Sequence, residues 1–234
     1  MPRAWGVVPA AGSGSRMGAA VAKQYLPLRG RALLGHALAP LLACARIDAV
    51  VLVVAADDER WRALVPRDAR LLSAIGGAER CHSVASGLER LADRAADDDW
   101  VLVHDAARPC LSGAELDALF AALADDPVGG LLAVPLADTL KAADETGRVA
   151  RTVPRDGLWR ALTPQMFRYG LLRRALAAAI ADGITVTDEA TAIEHAGHQP
   201  LLVAGRAANL KVTGPEDLAL AEAVLRRREE GECA

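Results

Sequence analysis

With 234 residues, 52% of them hydrophobic and 24% charged, the chain is long enough to bury one sizeable core without disulfide staples. A formal net charge of -3 lacks the basic excess of a protein that tracks a nucleic-acid backbone, and no apolar run reaches the roughly 20 residues needed to cross a bilayer. Residues Met1 to Trp5 lead into a strand-like run instead of a signal sequence, so the expectation is a single cytoplasmic domain over residues 1–234 with neither nucleic acid nor membrane as partner. Cys44, Cys81, Cys110 and Cys233 are scattered, show no CxxC spacing and pair with no nearby histidine in a zinc-like pattern, which reads as reduced, structural cysteine. Of 27 basic residues, Lys23, Lys141 and Lys211 are the lysines, and a chain so rich in arginine keeps lysine where a compact, strongly hydrated charge is wanted.

In chain order, Trp5 to Ala10 predicts a short buried strand, followed by a glycine-rich loop and an apolar helical pattern through Leu33, Leu34, Ala37, Leu38, Leu41 and Leu42. Asp48 to Ala55 holds a continuous apolar run, typical of a strand covered on both faces. Further strands are expected at Leu71–Ile75, Trp100–His104 and Gly130–Val134. Helices are expected at Glu79–Ala95, Ser112–Leu123, Gly170–Ile180, Asp188–His195 and Pro215–Arg228. Ser112 with Glu115, and Thr213 with Glu216, have capping-box spacing. This alternation predicts an α/β fold with a mainly parallel, doubly wound sheet. Residues 136–165 break the rhythm with many polar side chains, and Asp144-Glu145-Thr146-Gly147 has the composition of a hairpin turn, so the segment reads as a protruding β-arm.

Ligands of open α/β sheets gather beyond the carboxyl ends of the strands, and the first such end carries Pro9-Ala10-Ala11-Gly12-Ser13-Gly14-Ser15-Arg16-Met17-Gly18. Small side chains let backbone N–H groups approach phosphate, and Arg16 and Lys23 add positive charge. A dinucleotide fingerprint fails because Met17 occupies its third glycine position, and GxxxxGK[ST] is absent. Read alone, the loop supports binding of a triphosphate and names neither base nor acceptor.

That loop, followed by Lys23-Gln24-Tyr25-Leu26-Pro27-Leu28, resembles the signature of the 2-C-methyl-D-erythritol 4-phosphate cytidylyltransferase family. The resemblance continues in family order through Gly76-Gly77-Ala78-Glu79-Arg80 with Ser83-Val84, His104-Asp105-Ala106-Ala107-Arg108-Pro109 and Asp138-Thr139-Leu140-Lys141. Leu158 to Gln165, Thr187-Asp188-Glu189 and Asn209-Leu210-Lys211-Val212-Thr213 complete it. Ala22, where the family commonly has proline, and Ala78, where some relatives are acidic, depart from the pattern.

The resemblance implies a Rossmann-like nucleotidyltransferase domain that joins CTP to 2-C-methyl-D-erythritol 4-phosphate and releases pyrophosphate, with residues 136–165 exchanging contacts in a homodimer. It implies catalytic roles for Arg16, Lys23, Arg155 and Lys211, and CTP contacts from Ala10, Ala11, Gly12, Gly14, Arg16, Lys23, Gly77, Ala78, Ser83, Asp105 and Ala106. Arg108, Thr139, Arg155, Thr187 and Lys211 are expected to hold the acceptor, and Asp105 a magnesium or other divalent ion. Lys141 carries no chemical role in this reading, and His82 and His104 serve packing or hydrogen bonding. A ribitol 5-phosphate cytidylyltransferase is the nearest rival, to be separated by the acceptor. A nicotinamide-dependent dehydrogenase is disfavoured by Met17, and a non-catalytic nucleotide binder by the joint presence of Arg16, Lys23, Asp105, Arg155 and Lys211.

Overall fold

A computed structural model describes residues 2–12 and 22–231 of the chain. Gly14 and Arg16 lie outside the described residues, as does Cys233. In order, the elements are β1 (Ala4–Pro9), β2 (Pro27–Leu28), β3 (Arg31–Ala32), α1 (Leu33–Ala43), β4 (Ile47–Val54), α2 (Trp61–Leu64), β5 (Leu71–Ile75) and α3 (Arg80–Glu89). Then come β6 (Trp100–Val103), α4 (Gly113–Ala122), β7 (Gly129–Pro135), β8 (Leu140–Ala143), β9 (Val149–Val153), β10 (Trp159–Arg168), α5 (Tyr169–Ala181), α6 (Glu189–His195), β11 (Leu201–Ala204) and α7 (Pro215–Glu229).

The central sheet has seven strands in the order β11-β7-β10-β6-β1-β4-β5. The pairs β1 with β4, β1 with β6, β4 with β5 and β7 with β11 are parallel, while β10 runs antiparallel to both β6 and β7. Alternate residues of one strand feed opposite cores, as a period of two demands. Val50, Leu52, Leu102 and Met166 pack with Leu34 and Leu38 of α1 and Leu116 and Leu119 of α4. Val51, Val53, Val101 and Phe167 pack on the other face with Val84 and Leu88 of α3, Leu172 and Leu176 of α5 and Ile193 of α6. Both layers need apolar residues, which is why β4 reads as an uninterrupted hydrophobic run.

Two boundaries differ from the sequence reading. The segment 136–165 is not one excursion, because Trp159 to Gln165 belong to β10 and pair with β7 and β6 in the central sheet. The separate two-stranded sheet is β8 with β9, closing at Asp144, whose carboxylate accepts from the backbone of Thr146 and Arg148, while Gly147 takes the left-handed φ of +79°. Helix α7 starts one residue later than Thr213 and Glu216 imply: Asp217 Oδ2 accepts from the Gly214 N–H at 2.9 Å and the Thr213 N–H at 2.7 Å. At Ser112 the expected capping box is present, with Glu115 bonded back to the Ser112 N–H.

The antiparallel β10 decides where the hairpin emerges. β7 ends, and β10 begins, on the edge where the parallel strands have their carboxyl ends. Pro135 pairs with Trp159, and the Leu136 N–H donates to the Leu158 carbonyl at 3.0 Å, forming a neck on that same edge.

Candidate active site

The carboxyl ends of β1, β5 and β6 converge on one cleft, and β4 between them acts as their anchor. The Ala10 N–H donates to the Val53 carbonyl at 2.7 Å and the Gly76 N–H to the Val54 carbonyl at 2.8 Å, which fixes the loops after β1 and β5 against one strand end. Gly76 has to be glycine: a Cβ there would lie 2.4 Å from the Ala11 Cβ and 2.8 Å from Ser83 Oγ. This close approach makes a continuous wall from Ala10, Ala11 and Gly12 to Gly77 and Ala78, and Ser83 Oγ reinforces it by accepting from the Gly77 N–H at 3.2 Å.

The cleft, of about 360 Å³, is also lined by Lys23, Gln24, Arg80, Asp105, Ala106 and Lys211. Buried Gln24 donates from Nε2 to the Ala10 carbonyl at 2.7 Å and the Gly12 carbonyl at 3.2 Å, so the turn that presents Lys23 is tied to the loop after β1. A second chamber of about 190 Å³ lies beyond, lined by Arg108, Thr163, Gln165, Thr187 and Asp188 among others. Arg80, Asp105 and Lys211 border both spaces.

Charge is concentrated at that border. Asp105, 7% exposed, has Oδ2 at 2.9 Å from Lys211 Nζ and 3.5 Å from Arg108 Nε, while Arg80 Nε donates to Oδ1 at 3.1 Å. Burial alone would raise the Asp105 pKa, but the charges of Arg80, Lys211 and Arg108 outweigh it and hold the carboxyl well below the usual range. Arg80 loses hydration on burial, yet Glu189, 1% exposed, receives it bidentately at 2.6 and 3.1 Å, and together with Asp105 raises its pKa. Counting Arg80, Arg108 and Lys211 against Asp105 and Glu189, the cluster keeps a surplus positive charge at the mouth of two polar spaces.

A neutral polar frame holds this cluster. The Asp105 N–H donates to Thr163 Oγ1 at 3.1 Å, and that hydroxyl donates to His104 Nδ1 at 2.9 Å. The remaining His104 nitrogen, Nε2, donates to the Arg108 carbonyl at 3.1 Å, so the ring is neutral in this assignment. Complete burial pushes the His104 pKa down to about 4, which supports the neutral form. Arg108 is in turn fixed from Nη1 to the Asn209 carbonyl at 2.9 Å, and Asn209 Nδ2 donates to the Thr163 carbonyl at 2.8 Å.

The structure therefore brings together Ala10, Ala11, Gly12, Lys23, Gly77, Ala78, Ser83, Asp105, Ala106 and Lys211 in the main cleft, and Arg108, Thr187 and Lys211 in the second chamber. Thr139 and Arg155, which flank β8 and β9, line neither space, and Arg155 Nη1 donates instead to the carbonyl of Ala137. Sequence reasoning passed over Arg80, Glu189, Gln24 and Thr163 as site residues. Their signal was membership of the same short blocks as Gly77, Thr187, Lys23 and Gln165.

Comparison with known proteins identifies the family. Residues 5–227 match the family model described as 2-C-methyl-D-erythritol 4-phosphate cytidylyltransferase. Proteins of that name from Dechloromonas aromatica and Chromobacterium violaceum are 59% and 57% identical, covering 97% and 96% of this chain and 100% and 98% of their own. A crystal structure of the protein of that name from Thermus thermophilus is 33% identical with a TM-score of 0.79, covering 97% of this chain and 100% of its own. A 4-diphosphocytidyl-2C-methyl-D-erythritol synthase crystal structure is 37% identical with a TM-score of 0.84, over 96% of this chain and 99% of that one.

Proposed function

The chain belongs to the 2-C-methyl-D-erythritol 4-phosphate cytidylyltransferase family, and from that premise we propose how its residues divide the reaction. The enzyme transfers CMP from CTP to 2-C-methyl-D-erythritol 4-phosphate, giving 4-diphosphocytidyl-2-C-methyl-D-erythritol and pyrophosphate, in isoprenoid precursor biosynthesis. The observation that carries the residue assignment is the shared border of the two spaces, where Lys211 and Asp105 stand 2.9 Å apart. The main cleft takes CTP, with the backbone from Ala10 to Gly12 and from Gly77 to Ala78, together with Ser83 and Ala106, around base and ribose. The second chamber takes the acceptor's phosphate and polyol against Arg108, Thr187 and Lys211.

An oxygen of the acceptor phosphate attacks the α-phosphorus while the bond from that phosphorus to the bridging oxygen of pyrophosphate breaks. A phosphate monoester has its second pKa near about 6, so the nucleophile is already ionised at neutral pH and no general base is required. The difficulty is repulsion between two anions, which positive charge and in-line alignment relieve. Lys23 and Arg16 neutralise the triphosphate side. Lys211 bridges the two phosphates at the border, and Arg80, already engaged by Glu189 and Asp105, keeps Asp105 in place.

Asp105 is the carboxylate proposed to hold a divalent ion, magnesium being the first expectation. With three cations within 3.5 Å, it does not form a closed metal site by itself. Its carboxylate would hold a hard, oxygen-seeking ion of the magnesium class. Such an ion would supply charge neutralisation for the phosphates of CTP. Full turnover in excess chelator would remove Asp105 from this role.

Thr139 and Arg155 are proposed to serve the acceptor chamber of a second copy in a homodimer, since their own chain leaves them outside both spaces. A cytoplasmic location accords with the nucleotide substrate, and no helix among the described residues is long and apolar enough to cross a membrane. The decisive assay measures pyrophosphate release while crossing CTP and other triphosphates with methylerythritol phosphate and ribitol phosphate. Release is expected with CTP and methylerythritol phosphate, whereas a preference for ribitol phosphate would overturn the acceptor assignment.

A further inference from the structure

At the start of α3, Glu79, Cys81 and His82 offer three metal-binding groups that the transfer reaction leaves unused. One ligand atom from each lies within 4.8 Å of the others. Cys81 Sγ is 3.7 Å from Glu79 Oε2 and 3.8 Å from His82 Nδ1. Bond lengths of about 2.3 Å to sulfur and about 2.0–2.1 Å to nitrogen or oxygen give a tetrahedral zinc site ligand-to-ligand edges of about 3.5–3.6 Å. The two separations from Cys81 Sγ approach the sulfur edges to within a few tenths of an ångström, and the Glu79 and His82 ligand atoms, within 4.8 Å of each other, close onto a common ion by side-chain rotation.

We propose that Glu79, Cys81 and His82 form a binding site for a thiophilic divalent cation of the zinc class, with its fourth position left to water. Thiolate and imidazole select such an ion over magnesium, which prefers oxygen ligands alone. Binding displaces the thiol proton of Cys81 to solvent, and thiolate plus carboxylate then balance the two charges of the ion. Those two negative ligands also offset the positive end of the helix. The neighbouring Arg80 does not oppose the ion, because its guanidinium is turned to Glu189 and Asp105. Glu79 is exposed, which gives the ion a path of entry. The adjacent pair Cys81-His82 matches none of the usual zinc spacings, and the sequence reading therefore left these cysteines without a histidine partner. The third group, Glu79, joins them only through the folded backbone.

The site is mechanically joined to the main cleft. Ser83 Oγ donates to the Glu79 carbonyl at 3.1 Å and accepts from the Gly77 N–H at 3.2 Å, while a Cβ at Gly77 would lie 2.4 Å from the His82 Cβ. The ligands and the wall of the cleft thus share one short stretch of backbone, and occupation by the ion weakens CTP binding. This consequence rests on the reading of the main cleft as the CTP site, whereas metal binding itself does not.

The test titrates the full-length protein with Co²⁺ and follows the thiolate-to-cobalt charge-transfer band, then displaces the cobalt with Zn²⁺. One equivalent is expected to bind with that band, Cys81→Ser to abolish it, and His82→Ala to weaken binding by about tenfold or more. Absence of the band, or its persistence in Cys81→Ser, would overturn the site. In parallel, Zn²⁺ at constant Mg²⁺ is expected to raise the KM for CTP in the native enzyme and not in Cys81→Ser. Metal binding at Cys81 without that change in KM would retain the metal site and overturn its coupling to CTP.

Discussion

The border around Asp105 and the β8–β9 hairpin both carry charged and hydroxyl side chains, but only the first sets them in a buried frame. Asp105, Arg80, Arg108 and Glu189 are linked by ion pairs and backed by His104, Thr163 and Asn209, all buried except the half-buried Arg80. On the hairpin, Thr139, Lys141 and Arg155 are exposed, and the bond from Lys141 Nζ to Thr152 Oγ1 at 2.7 Å stays within the two strands. Charges preorganised in a buried frame need no rearrangement when substrate arrives. Charges on an exposed hairpin gain comparable order only from something packed against them.

The sharpest way to break this contrast is at the border itself. Lys23→Ala and Lys211→Ala are each expected to lower kcat/KM by about 10²–10³-fold, the cost of removing one preorganised charge, with thermal unfolding little changed. Near-native kinetics in either variant would dismiss that lysine from the chemistry.

The frame has its own signature in pH. Because the folded protein holds His104 near pKa 4 against an ordinary value of 6.5, the unfolded chain takes up the proton first as the solution is acidified. Its contribution is complete above pH 6.5 and is lost on descending to pH 4, a fall of up to about 3 kcal/mol. Denaturant melts of native protein and His104→Gln across this interval should differ in slope, the variant being flatter. Parallel slopes would mean that His104 is not held neutral by the fold.

The hairpin side of the contrast is tested by Arg155→Ala, expected to reduce turnover by about 10–100-fold through loss of a charge-assisted contact worth about 1.5–3 kcal/mol. Mixing it with Lys23→Ala subunits should recover part of the activity, because one composite site would then be whole. Verified mixed dimers that remain inactive would return Arg155 to its own subunit or to no site. The smallest effect belongs to Lys141→Ala, expected to alter stability by less than about 0.5 kcal/mol and leave kinetics unchanged. A strong kinetic defect there would show that the hairpin contributes more than Arg155 and Thr139.

What was legible in the sequence followed physical range. The apolar run of β4 and the helical period of α1 are local signals, and both elements appear where expected. β10 was not legible because Trp159 to Gln165 mixes polar and apolar residues, contains Pro164 and shows neither a continuous run nor a clean alternation. β11 is only four residues long. Lys23, Asp105 and Lys211 could be named from short blocks, but the pairing of Arg80 with Glu189, 109 positions apart, is a product of folding. No spacing rule anticipates it. Gln24 was visible within its block, yet its clamp on the Ala10 and Gly12 carbonyls required a bend of the chain that residue types alone do not specify.

The neck where Pro135 meets Trp159 and Leu136 meets Leu158 has a further consequence for how the chain tolerates being cut. Everything between residues 137 and 157 is suspended from that one crossing, and its tip at residues 144–148 is exposed. A protease that severs the tip should leave two fragments still joined by the seven strands of the central sheet. Such a nicked protein would keep its nucleotide cleft and lose the covalent link across the hairpin tip between Thr139 and Arg155.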